Sequence, residues 1–382
     1  MSIERRKQTD LMLLRHVAEI VSKNLNIPFF IIDPDIVNKV FEEVKQLPKI
    51  EEKYSQKDLY AEVSDFVSKI TVNKLKSEEE FHKLIEKFIT SLDKEKSYEA
   101  IIILPGVFDI PIGTQIGILE IVEQKIDDPI VNEYLENLKD KKRVILDNRS
   151  QAKILFKAYT SIYVTDVLFK NLELPFAILS LILDFDLDAR DCAGYIKSPD
   201  ISSIYFIEPQ NEIRGWTRYH PKFMAEYFEN LSKISLNKRP NSLEQKVLQA
   251  IQVYGLSRLS HKPEIRFIFL VSSFESLLLT EDDRDYLGKK LSEKTAFLLE
   301  NTYEKRLDLY KIMKRLYGKR SSLIHNGKTN ISDAEIKKLE GLFRILVFRI
   351  LELNKIYSKM EQKSQDKDRE GIEDYINMLK FS

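Results

Sequence analysis

Arg320 and His325 pair a permanent cation with the side chain that most readily exchanges a proton near neutral pH. A guanidinium can hold negative charge through its two-donor fork, and an imidazole can take or return a proton. They stand in the stretch Lys311–Lys328, with Ser321, Ser322, Leu323 and Ile324 between them. Lys305 to Lys328 contains eight Lys or Arg and one acid, Asp308, whereas the whole chain balances 60 basic against 60 acidic residues. A local cation surplus in a neutral chain points to an anionic partner at one place, not to a sticky surface everywhere.

Leu309, Met313, Leu316, Arg320 and Leu323 step by four, three, four and three, the period of one buried helical stripe. Arg320 takes a position that this pattern reserves for an apolar side chain. An arginine cannot shed its charge, so there it must meet an anion or open into a cleft. His325 lies about 140° further round a 3.6-residue helix, on a different face. Asn326-Gly327 is a stop signal that puts His325 in the last turn, where the helix dipole favours a cation.

Arg320-Ser321-Ser322-Leu323-Ile324-His325 resembles the R-polar-x3-H motif of the HEPN superfamily, in particular its Apea-like branch. The flanking pattern resembles it too: Phe274-Glu275-Ser276-Leu277-Leu278 on an earlier helix, and Tyr317 three positions before Arg320. The similarity covers roughly residues 243–360. It implies an all-α helical bundle that cleaves RNA without metal or other cofactor, with Arg320 and His325 as the catalytic pair. His325 would take the proton of a 2′-hydroxyl and Arg320 would hold the charge gained at phosphorus, leaving a 2′,3′-cyclic phosphate and a 5′-hydroxyl. In the family the cleft forms where two domains pair; one motif per chain therefore implies a homodimer. The resemblance further implies a toxin or antiviral defence effector, with RNA as substrate and an antitoxin or trigger protein as a partner. It is also consistent with an RNA-binding or dimer-scaffold use without cleavage.

Around the motif, each residue has two readings. Ser321 is placed to orient the pair or a phosphate. Glu275, the one acid in the apolar run Ile265–Leu279, is either a partner that positions Arg320 or His325 or half of a core ion pair. Lys319 and Lys328 flank the motif as contacts for RNA phosphates or as ordinary solvated lysines. Tyr317 is a stacking platform for a base or part of the core.

Other chemistries are weaker. Asp184, Asp186 and Asp188 alternate, which on a strand would align three carboxylates for Mg²⁺ and a metal-dependent enzyme. An exposed edge strand that uses charge against mispairing explains them equally well. As a calcium loop the segment fails, with Ala189 and Tyr195 where glycine and glutamate are needed. Gly106, Gly113 and Gly117 have no following Gly-Lys-Ser/Thr and suggest a turn between strands. His16 and His82 read as surface histidines, Cys192 as a buried inert thiol, and Trp216–His220 as a packing patch at a domain border.

The elements that must position these residues suggest an α+β multidomain chain. Residues 1–95 read as a helical region: a stripe over Leu11, Leu14, Ala18, Val21 and Leu25, a helix opened by Asp33-Pro34, and another opened by a capping box at Ser77. Residues 96–235 read as a mixed α/β domain, sensing or regulatory in role. Its expected strands are Ala100–Leu104, Ile116–Val122, Pro175–Phe185, Ala193–Ile196 and Ile201–Ile207, with helices over Pro129–Leu138 and Gln151–Lys170. Residues 236–242 form a polar, proline-marked linker, 243–360 the HEPN-like bundle, and 361–382 a charged tail. In the bundle's last helix, Ile336, Leu339, Phe343, Leu346, Ile350, Leu353 and Tyr357 repeat by threes and fours. One cysteine excludes an intramolecular disulfide, and no apolar run approaches 18 residues, which together favour a cytoplasmic protein with no membrane partner. The basic residues ahead of the first apolar stretch mimic a signal peptide, but Arg15, His16 and Glu19 interrupt it.

Overall fold

The computed structural model describes residues 34–47, 50–72, 78–104, 110, 112–123, 129–142, 151–159, 163–198, 201–207, 225–280, 283, 285–327, 330–361 and 376. The expected stripe over residues 11–25, His16, the Asp33 and Ser77 caps, Gly106, Trp216–His220, Lys328, the tail apart from Glu361 and Ile376, and the side chains of His82 and Tyr357 lie outside them.

Helices α1 (Pro34–Lys45), α2 (Ile50–Lys53), α3 (Gln56–Val72) and α4 (Glu78–Asp93) come first. Then follow β1 (Lys96–Ile103), β2 (Gln115–Ile116), β3 (Leu119–Val122), α5 (Pro129–Lys142), β4 (Gln151–Ala158), α6 (Val164–Leu183), a 3-10 turn at Ala189–Asp191, β5 (Ala193–Ser198) and β6 (Ile201–Ile207). Helices α7 (Ala225–Leu236), α8 (Ser242–Leu259), α9 (Pro263–Leu278), α10 (Leu287–Leu299), α11 (Tyr303–Asn326) and α12 (Asp333–Glu361) complete a mostly helical α+β chain. The strands form one sheet in the order β2-β3-β4-β1-β5-β6, with β2–β3 and β3–β4 antiparallel. Among the described residues no helix is long and apolar enough to cross a membrane.

The chain divides into two compact units: residues 1–99 with 155–168 and 196–205, and residues 100–154 with 169–195 and 206–382. The first segment ends at residue 99, near the boundary expected at 95, whereas the 236–242 stretch lies inside the second unit. In the first unit, Val37, Val40, Val63, Ile85 and Leu92 are buried together, and the Phe66 and Phe88 rings stack at 4.0 Å. The Tyr54 hydroxyl donates to the Tyr159 carbonyl at 3.1 Å.

Beyond the first four helices the element types depart from the sequence expectation at three places. Pro175–Phe185 is not a strand: residues up to Leu183 are the second half of α6, with Pro175 inside it. Phe176 to Leu183 are all buried, and a helix apolar on every side shows no periodicity that would separate it from a buried strand. Gln151–Lys170 is not one helix: β4 occupies Gln151–Ala158, with Ala152, Ile154, Phe156 and Ala158 buried and Leu155 and Lys157 exposed. This is the two-residue alternation of a pleated strand. Ile116–Val122 is broken into the β2–β3 hairpin at Gly117, whose φ of +60° suits a tight turn.

The C-terminal helices follow their expected stripes closely. Asn241 caps α8 in a reciprocal box with Glu244, so the expected linker also starts a helix. In α12, Ile336, Leu339, Phe343, Leu346, Ile350 and Leu353 are all buried. Gly255 of α8 packs against α6 so closely that a Cβ there would stand 2.6 Å from Ala177 Cβ. The apolar helix α6 is thus part of the same core as the C-terminal helices.

Candidate functional site

Helix α11 is capped at its start by Thr302, and it ends at Gly327 (φ +66°), whose N–H returns to the Leu323 carbonyl. Its buried residues are Leu309, Met313, Leu316 and Leu323, the stripe expected from the sequence. Arg320 fills the remaining position of that stripe and reaches the edge of the core, its side chain 24% exposed. Its Nη2 donates to Glu275 Oε2 of α9 at 3.0 Å. Its Nε is shielded from solvent and has no hydrogen-bond partner among the described residues.

Tyr317, one turn earlier, completes the group. Its ring lies 5.8 Å from the Arg320 guanidinium carbon, and its hydroxyl hydrogen-bonds to Glu275. Burial pushes its phenol above the ordinary range, and the neighbouring Glu275 carboxylate adds to this. The ring rests on α10 at Gly288, where a Cβ would come within 2.5 Å of Tyr317 Cδ1. Glu275 therefore anchors both side chains, and Tyr317 is half-buried rather than offered as an open platform.

His325 stands apart from this group. It is exposed in the last turn of α11, on the face that helix geometry gives it, while Ser321 is half-buried between the two. Among the described residues His325 has no hydrogen bond or ion pair. Lys319 is committed elsewhere: its Nζ lies 2.8 Å from the Glu335 carboxylate and 3.0 Å from the Asn330 carbonyl. The lysine's hydrogen bond pulls Glu335 below the ordinary carboxylate range. Lys319 thus clips the turn between α11 and α12, and as an RNA contact it would first have to leave that clip.

The aspartates behave differently from the expectation of an aligned strand. They sit in the turn after α6, where Asp184 has a left-handed φ of +54°. Asp186 contacts Arg258 Nε, and Asp184 lies 3.3 Å from Arg258 Nη1 and 3.0 Å from Arg344 Nη1. Glu340 of α12 joins Arg258 at 3.1 Å and Arg266 at 2.5 Å. Arg344 also donates to the Leu181 and Ile182 carbonyls at 2.7 and 3.1 Å, closing the open end of α6. Asp188 pairs with Arg190. Each of the three carboxylates is neutralised by arginine, and among the described residues no three His, Cys, Asp or Glu side chains gather as metal ligands. A cavity of ≈ 380 Å³ adjoins this cluster, walled by Asp186, Arg258, His261, Arg266 and Glu340.

The Arg258 cluster could not be read from sequence, because its oppositely charged partners lie more than 70 positions apart. Cys192 is buried, and burial raises its thiol well above the usual range, in keeping with an inert side chain. No family model matches the chain, and neither the curated proteins nor the solved structures contain a match.

Proposed function

We propose that the C-terminal bundle is a metal-independent endoribonuclease of HEPN type. The observation that carries this reading is the half-satisfied Arg320, a cation at the edge of the core with one carboxylate partner and a side chain that is 24% exposed. A scissile phosphate could compete for that fork. His325, exposed and uncommitted among the described residues, would remove the proton of a 2′-hydroxyl. The freed O2′ attacks the adjacent phosphorus, Arg320 holds the charge on the phosphoryl oxygens, and the 5′-oxygen departs and takes up a proton. The products are a 2′,3′-cyclic phosphate and a 5′-hydroxyl.

Arg320 and His325 point from different faces of one helix, which supports a cleft completed by a second copy of the chain, each copy giving one arginine and one histidine. On this reading the chain is a toxin or antiviral defence effector of the cytoplasm, restrained by an antitoxin or a trigger protein, with the N-terminal two-thirds in the sensing role. A second reading rests on the Arg320–Glu275 pair itself. If that pair is permanent, the bundle is an RNA-binding or dimer-scaffold module without chemistry. The arginine pairing of Asp184 and Asp186 gives a metal-dependent reading no support.

Cleavage of a labelled RNA pool in EDTA, by wild type, Arg320→Ala and His325→Ala, separates these readings. Each substitution should reduce the rate by about 10²–10⁴-fold, with cyclic phosphate ends on the wild-type products. Cleavage that survives both substitutions or needs Mg²⁺ would overturn the proposal, and RNA binding without cleavage would favour the scaffold.

A further inference from the structure

A second stripe runs along α11 on the side opposite the core. Leu307, Lys311, Lys314, Gly318, Ser321 and His325 step by four, three, four, three and four, so they share one face. All except the half-buried Ser321 are exposed. The cations on this face differ from their neighbours. Arg315 and Lys319 are drawn to Glu335, Arg306 to the Glu300 carbonyl and Arg320 to Glu275. Lys311 and Lys314 have no carboxylate partner among the described residues; Lys314 rests only over the Tyr310 ring, 5.7 Å from its centroid. From Lys311 to His325 the stripe is about 21 Å long at 1.5 Å per residue.

Gly318 lies midway along it. A glycine inside a helix is unfavourable relative to alanine, and nothing in the fold calls for one here. A Cβ at Gly318 would meet nothing within 4 Å, unlike one at Gly255 or Gly288. The bare backbone faces outward, between two uncommitted lysines and the candidate catalytic histidine. Such a surface admits close approach by something outside the chain.

We propose that this face is the track along which the substrate's phosphodiester backbone runs into the site, with Lys311 and Lys314 neutralising phosphates and Gly318 allowing the strand to lie against the helix. The proposal rests on the ribonuclease reading for the identity of the polymer. Charge selects the occupant: a symmetric dimer through this stripe would set the lysines of both copies against one another, whereas a polyanion relieves their repulsion. The RNA contacts thus pass from Lys319 and Tyr317, which the fold engages internally, to Lys311 and Lys314.

The test measures binding of a 2′-O-methyl oligoribonucleotide, which lacks the attacking hydroxyl, to the full chain over a range of salt concentrations. Lys311→Ala/Lys314→Ala should lower the slope of log K against log salt by about 1.4 and weaken binding about 25-fold at 0.1 M salt, from about 0.7 per phosphate contact. Lys337→Ala/Lys338→Ala, which removes two exposed lysines from α12, should leave both unchanged. Gly318→Ala should raise thermal stability while weakening binding, opposite signs that a purely structural role would not produce. An unchanged slope in the α11 double variant, an equal loss in the α12 variant, no salt-dependent binding by wild type, or equal displacement by polyglutamate would overturn the track. Continued cleavage of natural RNA by the α11 double variant at the wild-type rate would sink the track and leave the ribonuclease reading standing. Track-dependent binding without any cleavage would do the reverse.

Discussion

The second unit holds two arginine sites, and they are built on opposite terms. Around Arg258, Arg266 and Arg344, three cations meet Asp184, Asp186 and Glu340, and Arg344 uses its remaining donors on the last carbonyls of α6. Arg258 is only 8% exposed, and its charge is balanced from three sides. Around Arg320, among the described residues, there is one carboxylate, shared with Tyr317, and a shielded Nε without a hydrogen-bond partner. A saturated cluster welds the end of α6 to α8, α9 and α12. An unsaturated one leaves binding capacity unspent, which on the proposed reading a phosphate would use. Two atoms are exceptions inside the saturated site: Arg258 Nε, which touches Asp186, and the Tyr254 hydroxyl are buried without a hydrogen-bond partner among the described residues, and burial, with Glu340 and Asp184 nearby, pushes the Tyr254 phenol far above the usual range.

Exchanging the two arginines' fates breaks or confirms that comparison. The largest effect expected is the loss of cleavage in Arg320→Ala and His325→Ala. Next comes stability: Arg258→Ala removes one of the two arginines that hold the buried Glu340, leaving Arg266 as its partner, and should cost about 3 kcal/mol, read as a lower denaturation midpoint at constant slope. Arg320→Met should cost no more than about 1 kcal/mol, since its pair is partly exposed and the methionine extends an apolar stripe. If the two substitutions destabilise the fold equally, Arg320 is a structural residue and the contrast between the sites is lost. If Arg320→Met is stable but silent in cleavage, the unsaturated arginine is retained for chemistry.

The sequence made one of these sites legible and hid the other. Arg320 stood out because it broke a stripe of four buried apolar residues, and its helix and its stop at Gly327 followed from spacing within one segment, whereas Glu275, 45 positions away, was an acid in an apolar run whose partner only the fold reveals. The Asp184–Asp188 run also stood out, but the partners of Asp184 and Asp186 lie on helices more than 70 positions away, so local pattern could show those charges and not what neutralises them. The misassigned α6 has the same origin. Eight consecutive buried residues carry no period, and Pro175 imitated a strand boundary. For Lys319, spacing suggested availability, but the fold spent that lysine on Glu335. Lys311 and Lys314 carry the same charge, and only the folded helix distinguishes lysines engaged by carboxylates from those left to solvent.

A third ion cluster gives the finest test of saturation as a structural device. Asp283, in the turn between α9 and α10, accepts from Lys294 Nζ at 3.0 Å, from Lys290 Nζ at 2.8 Å and from the Thr280 N–H at 3.0 Å. Lys294 also donates to the Leu278 carbonyl at 3.0 Å. Burial alone would raise the Asp283 carboxyl, but these donors outweigh it and hold it well below the ordinary carboxylate range. With a folded value below the unfolded one, its contribution is fully present above the unfolded value of about 3.9 and is lost as pH falls toward the folded value. Asp283→Asn keeps the shape and removes the charge. Denaturant midpoints for wild type and variant should differ at pH 7 and converge as the pH is lowered from about 4 to about 2. The full gap persisting to the lowest pH would mean that hydrogen-bond geometry and not charge holds this turn, and saturation by charge would then be confined to the Arg258 cluster.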